Sequence, residues 1–166
     1  MAWPARKNAH ANPYQKLLYD AMESAGEARV SEVSIAGILR GNYDILHVHW
    51  PDGFVGGFPP FQAWTRLLIL RAIVSMAKSR GIKIVWTAHN LRSHARRCGP
   101  AIEDRFWTWW TSAVDGVIYL SDSSRDEAFG AYPALAQKRY AIARHGHYRH
   151  LDPVAAARPH IKHDPA

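Results

Sequence analysis

Three histidines lie at the ends of predicted strands, where their side chains can meet a ligand. His47 and His49 alternate along YDILHVHW (residues 43–50), so both face the same side of the sheet if the strand is regular. His49 is nearer the strand end and is expected to reach a ligand, whereas His47 is expected to be a buried, hydrogen-bonded histidine. His89 ends KIVWTAH and is followed by Asn90. An imidazole there can accept a proton or donate a hydrogen bond to a hydroxyl or a phosphate, which makes His89 a candidate catalytic residue. The alternative is that His89 only caps the following turn.

The loops after these two strands add a carboxylate and several guanidinium groups. Asp52 lies two residues after Trp50 and is a candidate base for a hydroxyl proton, with a purely turn-forming role as the alternative. Arg92, Arg96 and Arg97 follow His89. Planar guanidinium groups can clamp a phosphate through paired hydrogen bonds, and a solvated helix start is the alternative here.

No metal or nucleotide cofactor is expected in this domain. His145, His147 and His150 could join the other histidines, but nearby arginines would repel a divalent cation and no carboxylate cluster offsets them. The loop at residues 4–12 contains no glycine, so the GxGxxG pattern is absent, and the chain has no GxxxxGK[ST] phosphate loop. We therefore expect neither NAD nor ATP to bind in those ways.

Helix and strand patterns alternate along the chain and predict an α/β fold. The predicted helices cover residues 13–25, 35–40, 61–80, 100–113 and about nine residues after Ser121, and the predicted strands cover 43–50, 83–87, 116–120 and 139–143, with a weak candidate at 28–33. This alternation implies right-handed crossovers and a Rossmann-like, doubly wound parallel sheet of five or six strands. Ligands of such sheets bind beyond the carboxyl ends of the strands, where every unusual loop of this sequence falls.

Length and composition predict one soluble, basic domain. The 166 residues carry 21 Lys and Arg against 14 Asp and Glu, a formal net charge of +7. The single cysteine, Cys98, excludes an internal disulfide framework and suits a reducing compartment. The start lacks the apolar region of a secretory signal, and the apolar run 67–77 is too short to span a bilayer, so a cytoplasmic location is expected.

The basic balance favours an anionic partner. Nucleic acid is not expected, because the arginines are spread over several loops and no recognised binding motif is present. The segment FWTWW contains Phe106, Trp107, Trp109 and Trp110, and burial in the core accounts for three of these four rings. The remaining aromatic surface, with Arg105 beside it, suits docking at an anionic membrane or onto a partner domain.

Five segments together resemble the N-terminal half of GT-B glycosyltransferases, and most closely bacterial exopolysaccharide enzymes of the mannosyltransferase type. These segments are WPARKNAHANPYQKLLYDAM, YDILHVHWPDG, GIKIVWTAHNLRSH, VDGVIYLSDSS and RYAIARHGHY. The resemblance covers residues 1 to about 150 and implies an acceptor-binding domain. The resemblance places residues 49–52 in the acceptor site, and the residues themselves make Asp52 a candidate base and Arg92 a candidate phosphate ligand. Together they give catalytic residues Asp52 and His89, acceptor-binding residues Asn12, Tyr14, His49, Trp50, Asn90 and Arg92, and interdomain-cleft residues His145, Gly146 and Tyr148.

The resemblance implies transfer of a sugar such as mannose from a GDP- or UDP-sugar to a lipid-linked or polysaccharide acceptor. Residues 151–166 lack periodicity and are expected to be a linker or a disordered tail. The donor-binding C-terminal domain of such enzymes is not part of this chain, so a donor domain or subunit is an expected partner. The family also implies peripheral attachment to the inner face of the cell membrane. The alternative is a non-catalytic module that binds anionic lipid or a partner protein.

Overall fold

A five-stranded, all-parallel sheet forms the centre of the computed structural model, which describes residues 1–7, 9, 13–93 and 95–144. The strands are β1 (Ala2–Trp3), β2 (Ile45–Val48), β3 (Lys83–Ala88), β4 (Gly116–Tyr119) and β5 (Arg139–Ile142), hydrogen-bonded in that order. The helices are α1 (Tyr14–Ser24), α2 (Ile35–Arg40), α3 (Pro60–Ser79), α4 (Pro100–Ala113) and α5 (Asp122–Ala131), with 3-10 turns at Pro51–Phe54 and Pro133–Gln137. The predicted α/β class is therefore confirmed.

The chain direction across the sheet reverses at β1. The weak strand candidate forms a single parallel bridge there, between Glu32 and Ala2. The Ala2 amide donates to the Ser31 carbonyl at 2.9 Å, and the Val33 amide donates to the Ala2 carbonyl at 3.1 Å. The extended segment around Glu32 therefore lies on one side of β1, and the strands β2 to β5 lie on the other side. This arrangement makes the fold doubly wound and places its topological switch point between β1 and β2.

Side chains alternate between the two faces of the sheet and pack against different helices. One face contributes a large apolar cluster that includes residues from β2, β3, β4, α3 and α4, among them Leu46, Trp86, Tyr119, Leu70 and Trp110. On the other face, Tyr19 of α1 packs with Ala2 and Ala5 in a smaller cluster. Phe106, Trp107 and Trp110 are all buried, and Trp109 is half-buried, as predicted for three of these four rings.

Candidate functional site

Four aromatic side chains meet at the carboxyl ends of β2 and β3, and we refer to them as the ring cluster: Tyr14, His49, Trp50 and His89. His49 and Trp50 directly follow β2, His89 directly follows β3, and Tyr14 begins α1. Trp50 stacks on His89 with ring centroids 4.7 Å apart and an interplanar angle of 20°. Tyr14 meets both imidazoles edge-on, at 5.7 Å from His49 and 5.3 Å from His89. The structure thus brings four of the predicted site residues together beside the switch point.

A chain of hydrogen bonds extends from the ring cluster into the interior. His49 Nδ1 lies 3.0 Å from His89 Nε2, and His49 Nε2 lies 2.6 Å from the Tyr19 hydroxyl. The same hydroxyl lies 3.0 Å from His47 Nδ1, and His47 Nε2 lies 2.8 Å from Thr87 Oγ1. We call these five residues the histidine chain. His47 is therefore a buried, hydrogen-bonded histidine as predicted, and its partners Tyr19 and Thr87 lie on α1 and β3.

Burial keeps the interior of the histidine chain uncharged. Desolvation, followed by repulsion from the Met1 amino group and from His89 when that imidazole is protonated, lowers the pKa of His47 to about 4. Desolvation also lowers the pKa of His49 to about 2, with further contributions from His47 and His89. The pKa of the Tyr19 hydroxyl is raised, chiefly by burial. At pH 7 both inner imidazoles are therefore neutral, and each offers one donor and one acceptor.

Two depressions flank the ring cluster along the carboxyl edge of the sheet. One, of about 190 Å³, lies at the switch point and is lined by residues that include Trp3, Pro4 and Trp50. The other, of about 380 Å³, is lined by His89, Asn90, Leu91 and Arg92 on one side and by Ser124, Glu127 and Tyr132 on the other. Because Trp50 and His89 stack on each other, the two depressions adjoin a shared aromatic wall. The combination of aromatic rings and a few polar groups is typical of sites for small polar ligands.

The remaining predicted residues of these loops have distinct environments. Asp52 is buried at 6% exposure in the 3-10 turn after Trp50, and its carbonyl accepts hydrogen bonds from the amides of Val55 and Gly56. The side-chain amide of Asn90 donates to the Arg92 carbonyl at 2.6 Å and so shapes the loop after β3. The Arg92 side chain is exposed at the rim of the larger depression. The catalytic role of Asp52 and the binding roles of Asn90 and Arg92 stay predictions.

The arginine-rich loop after β3 is fastened at two points. The buried Glu103 carboxylate of α4 accepts a hydrogen bond from the Ser93 amide at 3.0 Å and lies 3.7 Å from the Arg96 guanidinium. The Arg97 amide donates to the Gly56 carbonyl of the neighbouring loop at 2.9 Å. The two loops that hold Trp50 and His89 are therefore tied to each other and to α4.

Some predicted site residues lie outside the described part of the chain, and the site contains two residues that were not predicted. Asn12, His145, Gly146 and Tyr148 lie outside the described residues. Tyr19 was missed by sequence reasoning, because a tyrosine on a helix carries no signal that it will join two histidines of a distant strand. Glu127 was also missed, although it directly follows the segment SDSSRD. That segment comes after β4, and its position at the end of a strand was the sequence signal that could have indicated this side of the larger depression.

Other cavities and residue groups give less chemistry. A groove of about 580 Å³ lies between α1 and the sheet, and its lining is mainly apolar, with Leu18, Met22, Val85 and Ile118 among its residues. Within the described ranges, no group of three or more His, Cys, Asp or Glu side chains is arranged to hold a metal ion. The polar groups that can act on a ligand are thus concentrated at the carboxyl edge of the sheet.

Comparison with known proteins identifies a glycosyltransferase relative. Two proteins of Xanthomonas campestris pv. campestris, the second from a named strain, are each described as a GDP-mannose:glycolipid 4-beta-D-mannosyltransferase. Each is 34% identical to this chain over 107 residues, which cover 61% of this chain and 26% of the relative. The chain thus spans about a quarter of the length of the curated relatives it matches. No family model matches the chain.

The predicted resemblance and the geometry agree. The relatives transfer mannose to a glycolipid according to their description, and the doubly wound parallel sheet is consistent with one Rossmann-like half of a GT-B fold. About a third of the aligned residues are identical between this chain and the mannosyltransferase. The predicted resemblance to GT-B glycosyltransferases is therefore confirmed.

Proposed function

We propose that this chain is the acceptor-binding part of a glycosyltransferase. The observation that carries the proposal is the ring cluster, whose stacked Trp50 and His89 lie between two depressions beside the switch point of the sheet. Aromatic walls with a few convergent polar groups suit a saccharide, which presents both apolar and hydroxyl-bearing faces. The description of the relatives supports mannose from GDP-mannose as the sugar and a glycolipid as the acceptor, and a UDP-sugar is the other donor we consider.

In the proposed reaction an acceptor hydroxyl attacks the anomeric carbon of the nucleotide-activated sugar. Asp52 or His89 assists removal of the hydroxyl proton, and the nucleoside diphosphate leaves with the electron pair of the broken bond. Tyr14, Trp50 and Asn90 shape the acceptor site. His49, which was expected to reach a ligand, is fully buried behind them and contacts His89 instead. Arg92 at the rim is available to an acceptor phosphate, to which a guanidinium can donate two hydrogen bonds. The nucleotide is held by a second Rossmann-like unit, in the same polypeptide or in a partner chain.

The proposal is tested by joining this chain to the donor-binding domain of a related mannosyltransferase. The assay follows labelled mannose from GDP-mannose into a lipid-extractable glycolipid. We expect at least one of the variants His89→Ala and Asp52→Ala to lower the rate at least ~100-fold, because a positioned acid or base contributes that much. Asp104→Asn, on an exposed part of α4, is the matched control and is expected to leave the rate unchanged. If both site variants keep rates within about threefold of the parent, the assignment of Asp52 and His89 as catalytic residues is refuted.

An outer face of α3 supports contact with an anionic membrane, which would bring a lipid-linked acceptor to the site. Phe61, Leu68 and Ile69 are 84%, 59% and 47% exposed, and their spacing places them on one side of the helix. Half-buried Trp64 and Trp109 border this face. Within the described residues, no helix has the length and apolar composition needed to cross a bilayer. The exposed apolar side chains of α3 are the basis on which we propose peripheral contact with the membrane.

Cationic groups lie around the apolar face of α3. The guanidinium of Arg66 lies over the Phe58 ring at 3.6 Å, Arg71 over Trp109 at 5.7 Å, and Arg105 over Trp64 at 5.4 Å. Aromatic and arginine side chains around an apolar centre suit the headgroup layer of a membrane. Each basic group near an anionic surface adds roughly 1 kcal/mol of attraction, which salt screens. The charge of this border therefore favours anionic lipid.

Vesicle co-sedimentation tests this membrane contact and the non-catalytic alternative. We expect binding to vesicles that contain phosphatidylglycerol, weaker binding at high salt, and little binding to phosphatidylcholine alone. Leu68→Glu is expected to abolish binding, whereas Ala134→Glu adds the same charge at an exposed site outside this face and is expected to reduce it only slightly. Equal binding of the two variants would refute the assigned face. Lipid binding without any sugar transfer by the joined enzyme would favour the non-catalytic module.

A further inference from the structure

The histidine chain has only two consistent arrangements of its hydrogens. A neutral imidazole has one N–H and one lone pair, and a hydroxyl has one hydrogen to donate. Each inner member of the chain bonds to both of its neighbours, so every donor must point the same way along the chain. Hydrogen positions follow from this accounting rather than from direct observation.

In the first arrangement, donation proceeds from Thr87 towards His89. The Thr87 hydroxyl donates to His47 Nε2, and His47 Nδ1–H donates to the Tyr19 oxygen. The Tyr19 hydroxyl donates to His49 Nε2, and His49 Nδ1–H donates to His89 Nε2. Every hydrogen of the four donors then has an acceptor.

The reverse arrangement leaves a buried hydrogen without an acceptor. His47 Nε2–H would donate to Thr87 Oγ1, so the hydrogen of Thr87 would need a different partner. In the part of the chain that the structure describes, the Thr87 hydroxyl has His47 as its hydrogen-bond partner and no other side chain or carbonyl. Thr87 borders the adjoining groove but is only 1% exposed, so its side chain is almost fully shielded from solvent. A buried donor without a partner is strongly disfavoured, and the first arrangement is selected.

We infer that the histidine chain holds neutral His89 as its Nδ1–H tautomer, so that His89 has no lone pair left to act as a base towards the acceptor substrate. Its role towards the acceptor rests on the proposed function, whereas the tautomer does not. The single lone pair of neutral His89 is at Nε2, where it accepts from His49. A second proton on His89 would place an N–H on both sides of this 3.0 Å contact, and the whole chain would have to reverse.

This inference assigns different roles to the residues of the site. Thr87, His47, Tyr19 and His49 are positioning residues, because they act on the acceptor only through His89. Of the two proposed catalytic residues, Asp52 is then the one that accepts the hydroxyl proton.

Nuclear magnetic resonance of the ¹⁵N-histidine-labelled chain tests the inference without any substrate. The imidazole nitrogen shifts distinguish a protonated from an unprotonated nitrogen, and we expect His89 to be protonated at Nδ1 at pH 7. Thr87→Val removes the hydroxyl that selects the direction, so the Nε2–H form of His89 should become at least roughly tenfold more populated. Thr87→Ser keeps the hydroxyl and should preserve the single tautomer. Tyr19→Phe, which interrupts the chain at its centre, should also give a mixture.

Two results would overturn the inference. The first is a wild-type His89 protonated at Nε2. The second is an unchanged His89 tautomer in both Thr87→Val and Tyr19→Phe, with the near-ultraviolet circular dichroism of the tryptophans showing a native fold. The outcome is separable from the proposed function: the expected tautomer without any sugar transfer would contradict the transferase alone, and transfer with the opposite tautomer would contradict this inference alone.

Discussion

Acidification below pH 6.5 should destabilise this protein through His47 and His49. Burial lowers their pKa values to about 4 and about 2, from 6.5 in the unfolded chain. Between these values the unfolded chain binds protons that the folded chain does not. The stabilising contribution is therefore fully present above the unfolded pKa and is lost as the pH falls through 6.5 towards the folded values.

The size of this effect follows from the two shifts. Between pH 7 and pH 5 each histidine is expected to remove about 2 kcal/mol from the free energy of unfolding, and the pair about 4 kcal/mol. Domains of ordinary size have about 5–15 kcal/mol in total, so the loss is readily measured. The lowered pKa values of Asp20 and Glu23 act at more acid pH, below the ordinary values of 3.8 and 4.5 for these carboxyl groups. The interval from pH 7 to pH 5 thus avoids these carboxylates, whereas the Met1 amino group, whose pKa burial also lowers, adds to the loss in the parent and in a histidine variant alike.

Urea unfolding followed by tryptophan fluorescence, in steps from pH 7 to pH 5, provides the measurement. His47→Gln removes one of the two titrating groups, and the acid-induced loss should fall to about 2 kcal/mol in this variant. Contributions from other groups cancel in the difference between the variant and the parent. A parent that loses less than about 2 kcal/mol, or a variant that loses as much as the parent, would refute the reasoning from burial.

Two further predictions concern the loop that holds the site and the helix that borders it. In Gly56→Ala the new Cβ would lie 2.6 Å from the Ala95 carbonyl oxygen, so we expect a loss of about 1–3 kcal/mol in urea unfolding, whereas Gly57→Ala meets nothing within 4 Å and should unfold like the parent. Equal midpoints for these two glycine variants would contradict the close approach. Ser121→Ala removes the N-cap of α5 and should cost about 1 kcal/mol, while Ser123→Ala in the same helix is the exposed control and should cost less. If the two serine variants are equally stable, the Ser121 cap does not contribute to the free energy of unfolding, and the prediction is wrong.

Much of the fold could be predicted because its signals are local. The apolar runs of β3 and β4 are short, β-branched or aromatic, and bounded by glycine or polar residues, which is typical of buried parallel strands. The Ser121 cap and the glycine at the end of α2 also act within a few residues. Alternation of such elements leaves few topologies, and the carboxyl ends of parallel strands necessarily meet at one edge. The proximity of His49 and His89 follows from this rule.

What the sequence by itself determined was therefore the element order, the α/β class and the edge at which chemistry is concentrated. Only the tertiary structure decided that a bridge at Glu32 reverses the sheet, that Tyr19 joins His47 to His49, and that Thr87 gives the histidine chain a direction. The physical reason is range. These contacts join residues 28 to 40 positions apart, and the donor and acceptor roles depend on burial that removes water as an alternative partner. Local propensity and periodicity carry no information about such pairs.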